Sequence, residues 1–182
     1  MLILYAVVLG IAAGYLLGGR FERLASLDFR WAPLAIGGLA VQVVIFGPLE
    51  SLVGTAGLPL YVGSTVATLA AVARNLRIPG LALVVVGSVS NLAAIVANGG
   101  VMPADPAAAD LAGIEHGPGF SNSAVVDAPA LQPLTDIFAL PAGIPFANVF
   151  SLGDVLIGVG IAVAIATGMR GRAAVTTGTS DD

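Results

Sequence analysis

Five apolar runs, at about residues 2–18, 31–53, 58–72, 78–97 and 152–169, make up half of this chain. Each is close to the ~20 residues a helix needs to cross the ~30 Å hydrocarbon core of a bilayer. In lipid only helices and closed barrels satisfy the backbone, and none of the runs shows the alternation of a barrel strand. The expected fold is therefore all-α, an integral membrane bundle of five transmembrane helices. The third run is the shortest and can borrow residues from the preceding "SLVGTAG". Composition agrees with lipid as the solvent. The chain is 57% hydrophobic and 10% charged, against roughly 25% charged in an ordinary soluble domain.

The basic residues set an orientation. There is no lysine, and the seven arginines fall between alternate runs. Arg20, Arg23 and Arg30 follow the first run, Arg74 and Arg77 the third, and Arg170 and Arg172 the fifth. Five spans put all of them on one side, which the positive-inside rule makes cytoplasmic. The N-terminus is then outside and the C-terminus inside. On that side the seven arginines against Glu22, Asp28, Asp181 and Asp182 leave +3; the other side carries seven acids and no base, which gives the net −4. The first run lacks a basic segment before it, so it reads as an anchor rather than a cleavable signal peptide. The resulting localisation is a bacterial plasma membrane, the bacterial part resting on the arginine-only, GC-rich bias.

"ANGGVMP" closes the fourth run. Asn98, Gly99 and Gly100 suit a helix C-terminus, and Pro103 prevents its resumption. The segment 98–150 is then an extracytoplasmic cap. It is rich in Pro, Gly, Ala and Asp and holds no positive charge. Such long connections are usually functional or disordered. Leu131, Leu134, Ile137 and Phe138 fall on a helical spacing, so a short helix is expected over "PALQPLTDIFAL", with a second over "PAAADLAGIE". "FERLASLDFR" reads as a brief interfacial helix on an anionic leaflet. Residues 1–172 form a single membrane domain, and 173–182 a disordered cytoplasmic tail.

Candidate polar residues gather toward the outer side. Gln42 and Asn91 lie in the outer thirds of spans two and four. Asn98, Asn148 and Asp154 lie at the same level. Ser151 and Asp154 have capping-box spacing at the start of span five, and an acid there suits the helix N-terminus. Two readings stand side by side: interhelical hydrogen bonds, or a polar ligand-binding pocket roofed by the cap, with Asp136 reaching in from it. Gly10, Gly14 and Gly18 form a small-xxx-small stripe for helix packing, within the monomer or against a partner. Gly18–Arg20 reads as a helix C-cap followed by a snorkelling arginine.

Several chemistries lack their residues. Without cysteine there is no disulfide, thiolate metal site or cysteine nucleophile. One histidine, His116, offers little for zinc or haem. Its neighbours Glu115, Ser121 and Ser123 lie in a Gly-Pro loop without a G-x-S-x-G elbow. No EF-hand or Walker spacing occurs, and the acidic pI with no basic patch argues against nucleic acid. No cofactor or metal is expected.

"LGIAAGYLLGGRFERL", the glutamine of the second run, "ANGGVMP" and "NVFSLGDVLIGVG" together resemble a bacterial family of small multi-spanning membrane proteins, a domain of unknown function. The resemblance covers all but the polar tail. It implies an integral membrane protein whose signature includes Gly14, Gly18, Gly19, Arg20, Gln42, Asn98, Gly99, Gly100, Met102, Pro103, Ser151, Gly153 and Asp154, and it implies no activity. The function expected is a non-enzymatic binding or accessory subunit using its outer face. Its partners are the lipid bilayer and a membrane protein or further copies of the chain. The alternatives are a small oligomeric transporter or channel, and a membrane-embedded enzyme with an Asp136/Asp154 acid–base pair.

Overall fold

A computed structural model of the chain describes residues 2–47, 50–114, 123–126 and 128–171. The fold is mostly helical. Its α-helices are α1 (Leu2–Leu16), α2 (Ala32–Ile45), α3 (Glu50–Val53), α4 (Gly57–Ala73), α5 (Leu81–Ala97), α6 (Pro106–Ala112) and α7 (Leu152–Arg170). Two helical stretches are long and apolar enough to cross a membrane, Gly54–Ala73 and Leu152–Arg170. The first begins with the 3₁₀ turn Gly54–Ala56, which leads directly into α4. The helices α1, α2 and α5 are apolar but shorter, at 15, 14 and 17 residues. At 1.5 Å per residue α2 reaches only about 21 Å. The run expected at 31–53 is thus divided: α2 ends at Ile45, the chain turns at Phe46 and Gly47, and α3 starts afresh at Glu50.

The principal helix contacts run in a row, α2 on α4, α4 on α5, α5 on α7 and α7 on α1. Glycines set how closely these neighbours approach. A Cβ on Gly10 would meet the Ala162 backbone, and one on Gly14 would meet Met169. With Ala6 beside Gly158, these contacts advance together, so α1 and α7 are parallel. Gly87 faces Gly153 and Gly80 faces Gly160, so α5 and α7 are antiparallel. Gly80 must be glycine on two counts: its φ is +92°, and a Cβ would strike the Gly160 carbonyl.

One end of the row collects the arginines. The Arg20 N–H donates to the Met169 carbonyl at 2.8 Å. Leu24 and Leu27, in and just after the 3₁₀ helix Phe21–Ser26, sit over Gly168. Arg30 is bonded to Asn75, between Arg74 and Arg77.

The cap occupies the opposite end, and it corrects the all-α expectation. Strands β1 (Met102–Ala104) and β2 (Ser123–Val125) pair in parallel, with Pro103 opposite Ala124. Strands β3 (Phe138–Leu140) and β4 (Asn148–Phe150) pair antiparallel, with Ala139 opposite Val149. The helix expected over "PALQPLTDIFAL" is replaced by a 3₁₀ turn at Gln132–Leu134 and by β3. Pro133 denies a helix interior an N–H, and pairing with β4 offers Phe138–Leu140 another partner for their backbone groups. The Phe138 and Phe150 rings stack at 5.5 Å across that ladder. The "PAAADLAGIE" helix is present as α6, started by Asp105, whose carboxylate accepts the Ala108 N–H at 3.0 Å. Ala104, Ala108, Ala109, Ala112 and Val149 form the cap's own small core. A second core of Ala94, Ile95 and Met102, with Tyr61 and Leu134 against it, joins cap to bundle.

Candidate functional site

The helix α7 starts at the junction of cap and bundle. Ser151 is fully buried and serves as its N-cap. The Ser151 hydroxyl accepts the Asp154 N–H at 3.0 Å, and the Ser151 N–H donates to Asp154 Oδ2 at 3.0 Å. Asn91 of α5 closes a ring. Its Nδ2 donates to Asp154 Oδ1 at 2.8 Å, and its Oδ1 accepts the Ser151 hydroxyl at 2.8 Å. Two further features fit this geometry. The partial positive charge of the helix N-terminus favours the Asp154 carboxylate. Gly153 leaves room for Asn91, whose Oδ1 occupies the space a Cβ would need.

A second polar group belongs to α4. Gln42 of α2 donates through Nε2 to Thr65 Oγ1 at 3.2 Å. One turn before Thr65 stands Tyr61, with Thr65 as its side-chain hydrogen-bond neighbour. The Tyr61 ring meets Phe46 edge-on at 5.1 Å. Its hydroxyl lies within electrostatic reach of both Asp154 and Asp136. Asp136 comes from the cap and is buried, with its N–H on the Pro103 carbonyl and its own carbonyl receiving the Asp105 N–H, both at 2.9 Å. Tyr61 of α4 packs against Ala94 and Ile95 of α5 and Met102 of the cap, and so stands where cap, α4 and α5 meet. Sequence reasoning passed over it; the signal was a Tyr and a Thr four residues apart in an apolar run.

The remaining candidates are placed separately. Asn98 ends α5, and its side chain behaves as a strand partner for the cap. Nδ2 donates to the Ala94 and Ala130 carbonyls at 2.7 and 2.9 Å, and Oδ1 accepts the Ala130 N–H at 2.8 Å. Gly99 and Gly100 follow with left-handed φ, and the Gly100 N–H returns to the Ile95 carbonyl at 2.9 Å. Asn148 lies in β4 opposite Leu140, outside the Asn91–Ser151–Asp154 ring. Gly10 and Gly14 face α7 from within the same chain, whereas nothing lies within 4 Å of where a Gly18 Cβ would stand; Gly19 takes its place against Met169. His116, Glu115 and Ser121, like Arg172 and the tail, lie outside the described residues. Among the described residues no three His, Cys, Asp or Glu side chains gather to hold a metal ion.

The cap also contains a cleft of about 240 Å³ between α6, β2 and the 3₁₀ turn. Asp105, Gln132 and Thr135 give it polar edges, and Pro106, Val125 and Ile137 give it apolar walls.

A model of a family of unknown function, DUF5317, matches residues 26–166, which take in the cap and every element of the bundle except α1, all but the last residue of the 3₁₀ helix Phe21–Ser26, and the last residues of α7. No curated protein and no solved structure matches the chain. The matched region is more than three-quarters of the sequence, and the chain belongs to the DUF5317 family.

Proposed function

We propose that this chain is a multi-pass membrane protein with five spans and that it acts as a binding or accessory subunit through its cap. The membrane part of the reading rests on the outside of the helices. Leu16 is 88% exposed, Leu52 77% and Val43 71%. Ile36, Val8 and Leu9 are little different. Helices that are apolar all round belong in a protein core or in lipid, and these are not in a core. A surface of this kind in water would be an aggregation hazard. The short helices α1, α2 and α5 would cross with local thinning of the bilayer or with help from flanking residues, at a modest cost per ångström of mismatch. With the arginine end on the cytoplasmic side of a bacterial plasma membrane, the cap lies outside.

The observation that carries the binding role is the cap itself. It has its own core, two strand pairs and a capped helix, and it is fastened to the bundle by Asn98, Asn91, Ser151 and Tyr61. Within it lies a cleft with apolar walls and a few polar edges, the composition of a recognition site. An Asp136/Asp154 enzyme draws less support, because both Asp154 oxygens are already engaged by Asn91 and Ser151. A transporter assembled through the Gly10/Gly14 face draws less as well, because α7 covers that face.

Native mass spectrometry of the protein, purified gently from its own host's membranes, tests the reading. A stoichiometric protein partner, lost when Gln132→Ala and Ile137→Glu are introduced into the cleft, is the expected result. A bare monomer in every gentle detergent overturns the accessory role. Release of the protein from membranes by alkaline carbonate overturns the spanning role.

A further inference from the structure

At the end opposite the cap, Arg30, Arg74 and Arg77 line one hollow of about 260 Å³, together with Asp28, Asn75 and Ile78. We propose that this hollow binds a phosphate group, supplied by the headgroup of an anionic phospholipid. Arg74 caps the C-terminus of α4, Arg77 lies in the turn to α5, and Arg30 stands just before α2. Two sequence segments, the stretch before α2 and the turn from α4 to α5, thus bring three arginines to one space, against a single carboxylate, Asp28. Among the described residues none of the three arginines has a carboxylate within 4 Å; the one ion pair found is Arg20 with Glu22, elsewhere on this end. Cations held together without partners repel one another. A phosphate relieves that repulsion, and the planar guanidinium fork matches its oxygens.

The hollow is built rather than incidental. Its floor is Asn75, 5% exposed and fully engaged. Asn75 Nδ2 donates to the Arg30 and Ala71 carbonyls, both at 2.7 Å, and its Oδ1 accepts the Arg30 N–H at 2.8 Å. That single amide fixes the Arg30 backbone against the end of α4, so the segments that bear the arginines are held together before any ligand arrives. This is preorganisation, which lowers the cost of binding.

Two neighbours favour a lipid over free phosphate. The residue after Arg30 is Trp31, 55% exposed, which with Pro33 and Leu34 lines an open, almost wholly apolar hollow. An acyl chain can lie there while its phosphate occupies the arginine hollow. Basic pockets at the ends of spanning helices take anionic headgroups in this manner, and tryptophan marks the interfacial level. Asp28 adds an acceptor for a headgroup hydroxyl, which a glycerol headgroup supplies.

The proposal rests on the membrane reading given above but not on the choice of cap partner. The full chain would be placed in nanodiscs of phosphatidylcholine, with phosphatidylglycerol titrated in, and bound lipid counted by native mass spectrometry. One phosphatidylglycerol retained per chain is expected. Arg74→Gln with Arg77→Gln should weaken retention about thirtyfold. Arg74→Lys with Arg77→Lys, which keeps the charge but removes the fork, should fall between that variant and the parent. Arg170→Gln, at the same end but outside the hollow, should change little. Equal loss in Arg170→Gln, or none in the double glutamine variant, overturns the site. Displacement of the lipid by millimolar inorganic phosphate overturns the lipid as source. A chain that stays dispersed in buffer without detergent or lipid overturns the membrane reading separately, before any lipid is counted.

Discussion

Among single residues, Asn91 and Gly153 depend most directly on each other. Asn91 fills the space that the absent Gly153 side chain leaves, and its amide connects the capping serine to the capping acid. Gly153→Ala should therefore destabilise the protein by about 1–3 kcal/mol, the usual range for overpacking. Ser151→Ala should cost about 1 kcal/mol as a lost cap. Combined, the two should fall short of the sum, because they break the same ring. Thermal unfolding in one detergent, by intrinsic fluorescence, checks all three variants. The capping box was legible in the sequence because its signature is a spacing of three. The third member of the ring was legible only as a polar residue in the outer third of a span, since its contact crosses sixty residues. Asn75 was missed altogether. It stands between two arginines with no motif around it, yet among the described residues it is one of the most buried polar side chains.

Among elements, helices and strands were unequally visible. The apolar helices announce themselves by length, and α6 by an acid, a proline and a terminal glycine. Strands of three residues contain too little alternation to register, and their pairing is decided by segments that sequence proximity does not reveal. Leu131 sharpens the lesson: it supplied one of the supposed helical positions, yet its φ is +55°. The division of the second run was partly legible, because its firmest apolar part ends near Phe46, where α2 stops, although hydrophobic residues continue to Val53. Two predictions belong here. The chain has no cysteine, so introduced pairs can be read cleanly. Ala6→Cys with Gly158→Cys should form a disulfide, because a Gly158 Cβ would stand 3.4 Å from that of Ala6, close to the usual spacing. Adding Gly14→Leu should abolish most of that cross-link by forcing α1 off Met169, with non-reducing gel mobility as the readout. Asn98→Ala should release the Ala130 segment, seen as faster amide exchange at 128–131 with little change in α7.

For the whole molecule, the arginine distribution anticipated which loops share an end, while leaving open how the helices pack. Knowing that Arg20, Arg30 and Arg77 share an end does not indicate that α1 neighbours α7 or that α2 stands at the far edge of the row. Those neighbours are chosen by glycines whose counterparts lie on distant segments. The proposed orientation has a direct check. A cysteine at Ala107 in the cap should react with a membrane-impermeant maleimide on intact cells, whereas one at Ser26 should react only after permeabilisation. The reverse pattern would invert the protein, and labelling of both sites on intact cells would break the five-span scheme.

The parallel seating of α1 against α7 has a consequence for biosynthesis. The glycine face of α1 is made first, and the surface that fits it is made only after the three intervening apolar segments and the cap have been translated. Until then the stripe has no partner, and closing so long a loop is slow compared with forming local contacts. A nascent chain stopped before residue 152 thus carries an unmatched helix edge.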